Sequence, residues 1–142
     1  FNLAPEDAVL TLQSSFRVFW AAARLALAGD PLATFDLDRI DAEYNVVTTG
    51  WMPWLYPPGY LFVVAPFGAM SYAAAFLTMT LLSIAAITLA SRPFAGGVKP
   101  IWAAMSLAPA YLPALIIGQN SLIWLSVLLA ALAALRSGRS VL

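Results

Sequence analysis

Between Lys99 and Arg136 the chain runs for 36 residues without a charge. As one helix this stretch would extend about 54 Å, nearly twice the roughly 30 Å of a bilayer's hydrocarbon core. Folded into a hairpin it makes two spans of about 17 residues each, with the bend near Gly118. That is where Gly118-Gln119-Asn120-Ser121 supplies the polar and helix-breaking residues that a bend requires. The pattern therefore predicts spans over 101–117 and 121–135.

A third span is expected over 72–91, which holds no charge and whose Thr78, Thr80, Ser83 and Thr88 can bond back to their own helix. Residues 57–70 are apolar but short, and Pro66 falls inside them, so a re-entrant or interfacial helix fits better than a crossing. Trp51, Trp54, Tyr56 and Tyr60 before it read as an interfacial aromatic belt. Over 15–28 (SFRVFWAAARLALA) Phe16, Trp20, Ala23 and Leu27 share one helical face and Arg17 and Arg24 another, and Gly29-Asp30-Pro31 stops the helix. This is an amphipathic helix suited to a membrane surface. Residues 35–45 (FDLDRIDAEYN) show no clear period and are expected to be loop with at most one helical turn. Together these elements make an all-α, integral membrane helical bundle. A loop part, 1–56, carries the amphipathic helix, and a membrane part, 57–142, carries the short helix and three spans.

Composition agrees, with 62% hydrophobic and 10% charged residues against roughly 25% charged in an ordinary soluble domain. All seven acids precede residue 44, whereas Arg92, Lys99, Arg136 and Arg139 follow residue 91. By the positive-inside rule those four cations belong on the cytoplasmic side, which puts the Gly118 bend and the acidic loop outside. Without cysteine or histidine the chain has no disulfide, no thiol chemistry and none of the usual transition-metal ligands, so neither a metal nor another cofactor is expected. Nothing points to nucleic acid as a partner. With no initiator Met and no signal-peptide pattern at its start, the chain is expected to be a piece of a longer multi-pass protein.

Candidate chemistry is limited by the same inventory. Carboxylates are the general bases available, and Asp36, next to Phe35 and close to the interface, stands out among acids that otherwise read as solvated loop residues. Arg17 and Arg24 offer guanidinium forks that match phosphate oxygens, or pair with lipid phosphates or nearby acids. Pro57-Pro58 presets a helix start, whose free N–H groups also suit an anion. Gln119 and Asn120 read either as a turn in which Asn120 or Ser121 caps the next helix, or as a turn that is also part of a site.

Several segments taken in order resemble glycosyltransferase family 87: SFRVFWAAARLALAGDP (15–31), Phe35-Asp36, Trp54-Leu-Tyr-Pro-Pro58 with its apolar run to Ala65-Pro66-Phe67-Gly68, and Gly118-Gln-Asn120 opening a span. The resemblance covers nearly the whole chain from residue 15. It implies the N-terminal part of a GT-C fold in a multi-pass enzyme, in a bacterial inner membrane by this reading. Such an enzyme transfers a hexose, mannose in the best-known members, from a polyprenyl-phosphate donor to a lipid or glycan acceptor on the extracytoplasmic face, with an external-loop Asp as base. Arg17, Arg24, Tyr56, Gln119 and Asn120 become the expected substrate-binding residues. The family pattern usually has Asp-Phe where this chain has Ser15-Phe16. Either the base has moved to Asp7, Asp30 or Asp36, or the chain is an inactive scaffold or interaction module.

Overall fold

The computed structural model describes residues 14–43, 53–99, 102, 105, 106 and 108–138. Asp7, Trp51, Arg139 and part of the expected span 101–117 lie outside them. Among the described residues all regular structure is helical: α1 (Ser14–Leu27), α2 (Leu37–Glu43), α3 (Leu61–Gly68), α4 (Tyr72–Ser91), α5 (Ala108–Ile116) and α6 (Ser121–Arg136), with 3-10 turns at Pro31–Phe35, Pro58–Tyr60 and Arg92–Phe94. By contacts the chain divides into two units, Phe1–Thr78 and Met79–Leu142, the division falling inside α4.

In the first unit α1 packs along α3. Ala21, Ala22 and Ala23 are fully buried, and a Cβ built on Gly68 would stand 2.6 Å from the Ala23 carbonyl carbon, so these two backbones touch through small residues. The expected surface helix is thus found inside. Phe16, Val18, Phe19 and Leu25 are buried as well, and so are Ser15 and Arg17, while Leu27, expected on the covered face, is half exposed. Alanines leave room for neighbours on more than one side, and Phe16 meets Tyr72 and Phe76 from α4 at ring-centroid distances of 5.5 and 5.3 Å.

The α1 end is closed by a Schellman motif, in which Asp30 N–H bonds the Leu25 carbonyl (3.1 Å) and Gly29 N–H that of Ala26 (3.2 Å). The 35–45 segment is more ordered than expected. Asp36 ends the first 3-10 turn and opens α2 as its N-cap, its Oδ1 accepting from the Asp38 N–H (3.1 Å) and the Arg39 N–H (3.3 Å). Pro57 and Pro58 do start a helical segment, with Tyr60 N–H bonding the Pro57 carbonyl at 2.9 Å.

In the second unit Ile87 and Leu122 form a buried core against Tyr111, Ala114, Leu115 and Leu129. Ser83 and Ser126 donate to the carbonyls four residues back, at 2.8 and 2.6 Å. Thr88 does not follow them, and its buried Oγ1 has no hydrogen-bond partner among the described residues. The bend between α5 and α6 falls at Gly118, with φ of +69° and a second Schellman motif: Gln119 N–H to Ala114 (2.8 Å) and Gly118 N–H to Leu115 (3.1 Å). Among the described residues one helix, Tyr72–Phe94, is long and apolar enough to cross a membrane. Leu81, Leu82 and Leu89 are exposed on it, as side chains facing lipid are.

Candidate functional site

Two opposite faces of α1 carry the candidate residues. Arg17, Trp20 and Arg24 lie three and four residues apart, on one stripe. Phe19 and Ala26, seven apart, lie about half a turn of the helix wheel away.

Along the first stripe cations and rings alternate. The Arg17 guanidinium carbon sits 5.7 Å from the Tyr72 ring centroid, Tyr72 meets Trp20 edge-on at 5.6 Å, and Arg24 lies 4.9 Å over Trp20. Arg24 is also paired with Glu43, while Trp20 Nε1 donates to the Met70 carbonyl at 3.1 Å. The two arginines therefore differ. Arg24 is exposed and holds a carboxylate. Arg17 is 5% exposed, and among the described residues its buried Nη1 has no hydrogen-bond partner. Trp20 belongs with the arginines rather than with the apolar face, a placement that its spacing of three from Arg17 and four from Arg24 already carried. Glu43 was overlooked because it is nineteen residues from Arg24.

On the opposite stripe Phe19 lies under three rings, with centroids 6.1 Å from Trp54, 5.1 Å from Tyr56 and 5.9 Å from Tyr60. Tyr56 and Tyr60 stack at 5.0 Å. The described part of the aromatic belt is thus a packed cluster in which Trp54 is 4% exposed and its Nε1 has no hydrogen-bond partner among the described residues. Burial raises the Tyr56 phenol above its ordinary pKa, so it remains protonated and able to donate. Beside this cluster an apolar groove of about 380 Å³ is lined by Ala26, Leu32, Phe35, Pro58, Leu61 and Phe62, among others.

Of the acids weighed as base, Asp30 is occupied on both oxygens. Its Oδ1 accepts from the Ala33 N–H at 3.3 Å and its Oδ2 from Arg39 Nη1 at 2.6 Å. Asp36, exposed and directly after the groove residue Phe35, commits Oδ1 to the α2 N-terminus; among the described residues nothing donates to Oδ2. Ser15, at the position where the family pattern has Asp, is buried.

Gln119 and Asn120 belong to the second unit. Asn120 occupies the N-cap position of α6, yet its side chain makes no capping bond, and its backbone carbonyl accepts from Ile123 (3.0 Å) and Trp124 (3.3 Å). Ser121 begins the helix, and its hydroxyl donates to Gln119 Oε1 at 3.2 Å. Side-chain capping therefore does not explain the carboxamide of Asn120, which is buried. Among the described residues no group of acids is arranged to hold a metal ion.

A family model described as Glycosyltransferase family 87 matches residues 54–142. No curated protein and no solved structure matches the chain. The matched segment starts at Trp54 and takes in Tyr56, Gln119 and Asn120, whereas Arg17, Arg24 and Asp36 precede it. With more than half of its length matched, in a helical chain that carries an apolar membrane-type helix, this protein belongs to glycosyltransferase family 87, a family of membrane glycosyltransferases.

Proposed function

We propose that the chain forms part of a GT-C type, multi-pass hexosyltransferase of a bacterial inner membrane. It takes a hexose, mannose first among candidates, from a polyprenyl-phosphate donor and passes it with inversion to a lipid or glycan acceptor at the extracytoplasmic face. Residues 1–56 are the external part, and 57–142 the membrane part with spans over 72–91, 101–117 and 121–135.

The observation that carries this reading is Arg17. A guanidinium 5% exposed, with Nη1 unpartnered among the described residues, has lost hydration that its ring contact and side-chain hydrogen bond with Tyr72 replace only in part. A donor phosphate would supply the missing acceptor as a charge-assisted hydrogen bond. Arg24 adds positive charge on the same stripe, with Glu43 as its present partner. Asp36 is the base: Oδ1 fixes the carboxylate on α2, and Oδ2 takes the proton from the acceptor hydroxyl as its oxygen attacks the sugar's anomeric carbon and the carrier phosphate leaves. Tyr56 donates a hydrogen bond to the sugar, and within the second unit Gln119 and Asn120 are its proposed substrate-binding residues.

The test is transfer of labelled mannose from a polyprenyl-phosphate carrier in reconstituted liposomes. Asp36→Asn is expected to lower the rate by a factor of about 10² to 10⁴. Arg17→Met should weaken use of the donor, with Arg17→Lys recovering part of it. Full activity in both Asp36→Asn and Arg17→Met would overturn the assignment. The serine at position 15 favours a second reading, a scaffold without activity. Under that reading no sugar is transferred, and Ser15→Asp leaves the protein inactive.

A further inference from the structure

We propose that the end of the second unit, where α4 and α6 finish, binds the phosphate headgroups of anionic membrane lipids. Arg136, the last residue of α6, is held with its guanidinium carbon 5.5 Å over the Phe94 ring. Phe94 closes the 3-10 turn that begins at Arg92, and Lys99 follows five residues later. All three cations are exposed. No acid occurs anywhere from Tyr44 to Leu142, so no carboxylate of this unit faces them.

The helix ends do not use up this charge. Each helix C-terminus carries roughly half a negative charge. Two such ends offset about one of the three described cations and leave a net of about +2 among them. Nor are the cations needed to satisfy the last carbonyls. Ala95 N–H bonds the Arg92 carbonyl, Ser137 N–H that of Ala133 and Gly138 N–H that of Leu135, and the Ser137 hydroxyl donates to Ala134. The ring of Phe94 engages a face of the Arg136 guanidinium, which leaves its N–H edge open to phosphate oxygens.

Apolar side chains interleaved with the cations favour a bilayer over free phosphate in solution. Phe94, 38% exposed, ends the helix suited to cross the membrane, and Val98, 54% exposed, lies in the turn that follows. Cations with exposed apolar neighbours at such a helix end match the boundary between headgroups and acyl chains.

The experiment compares lipids retained by the protein from nanodiscs of phosphatidylcholine containing about a third phosphatidylglycerol, read by native mass spectrometry. The wild type is expected to retain phosphatidylglycerol selectively. At about fivefold per cation, the triple variant Arg92→Gln/Lys99→Gln/Arg136→Gln should lose about a hundredfold of that preference. Phe94→Leu keeps every charge but frees Arg136, and should lose part of it, while Arg39→Gln in the other unit should lose none. Equal retention of the two lipids by the wild type would overturn the proposal, as would undiminished preference in the triple variant or displacement of the lipid by inorganic phosphate. Sugar transfer is not read, so the outcome stands apart from the enzymatic assignment.

Discussion

Gly68 has no space for a side chain. An added Cβ would meet three backbone atoms of α1, Ala23 C at 2.6 Å, Ala23 O at 2.7 Å and Arg24 N at 2.8 Å, none of which can rotate away. Gly68→Ala must therefore push α1 and α3 apart and is expected to cost about 1–3 kcal/mol. Gly59→Ala, with nothing within 4 Å of its added carbon, serves as the control. Thermal unfolding in detergent checks this, and equal midpoints for the two variants would refute the close contact. At this scale the sequence was partly legible. That Arg17 and Arg24 share a face followed from their spacing of seven, but which of them is paired with a carboxylate depends on Glu43, brought in by tertiary packing. Asp36 was singled out for its place beside Phe35. Its capping of α2 was also available, since an Asp followed two residues later by another acid is a helix-start pattern.

The α5–α6 bend was readable from span length and from glycine together, because a charge-free run too long for one crossing must turn where the backbone permits it. Gly118 holds φ at +69°, a region costing an L-residue with a Cβ roughly 1–2 kcal/mol. Gly118→Ala should destabilise the second unit by about that amount. Gly118→Asn should cost less, because asparagine tolerates this region better. An alanine variant as stable as the wild type would mean that the motif adds nothing to the bend. α1 shows why periodicity told less elsewhere. Its apolar stripe identified one covered face, but Ala21, Ala22 and Ala23 are as compatible with solvent as with a second packed neighbour. Only the approach of α3 and of the start of α4 decided between them.

For the molecule as a whole, crossing depends on length against thickness. The 20 residues of α4 extend about 30 Å, which matches the hydrocarbon core. The 16 residues of α6 extend about 24 Å and fall short by roughly 6 Å. Mismatch costs fractions of a kcal/mol per Å, so the shortfall amounts to a few kcal/mol at most. Holding Arg136, the one charged residue of α6, at the bilayer centre would cost about 2.5–3.5 kcal/mol. The proposed arrangement keeps Arg92, Lys99 and Arg136 on one side, with 101–117 and 121–135 crossing as a hairpin and the membrane thinned at α6. Because the chain has no cysteine, single cysteines at positions 36, 97 and 119 can be labelled without background by a membrane-impermeant maleimide. Positions 36 and 119 should react from outside intact cells, and position 97 only after the membrane is opened. If 97 and 119 react from the same side, the hairpin does not cross.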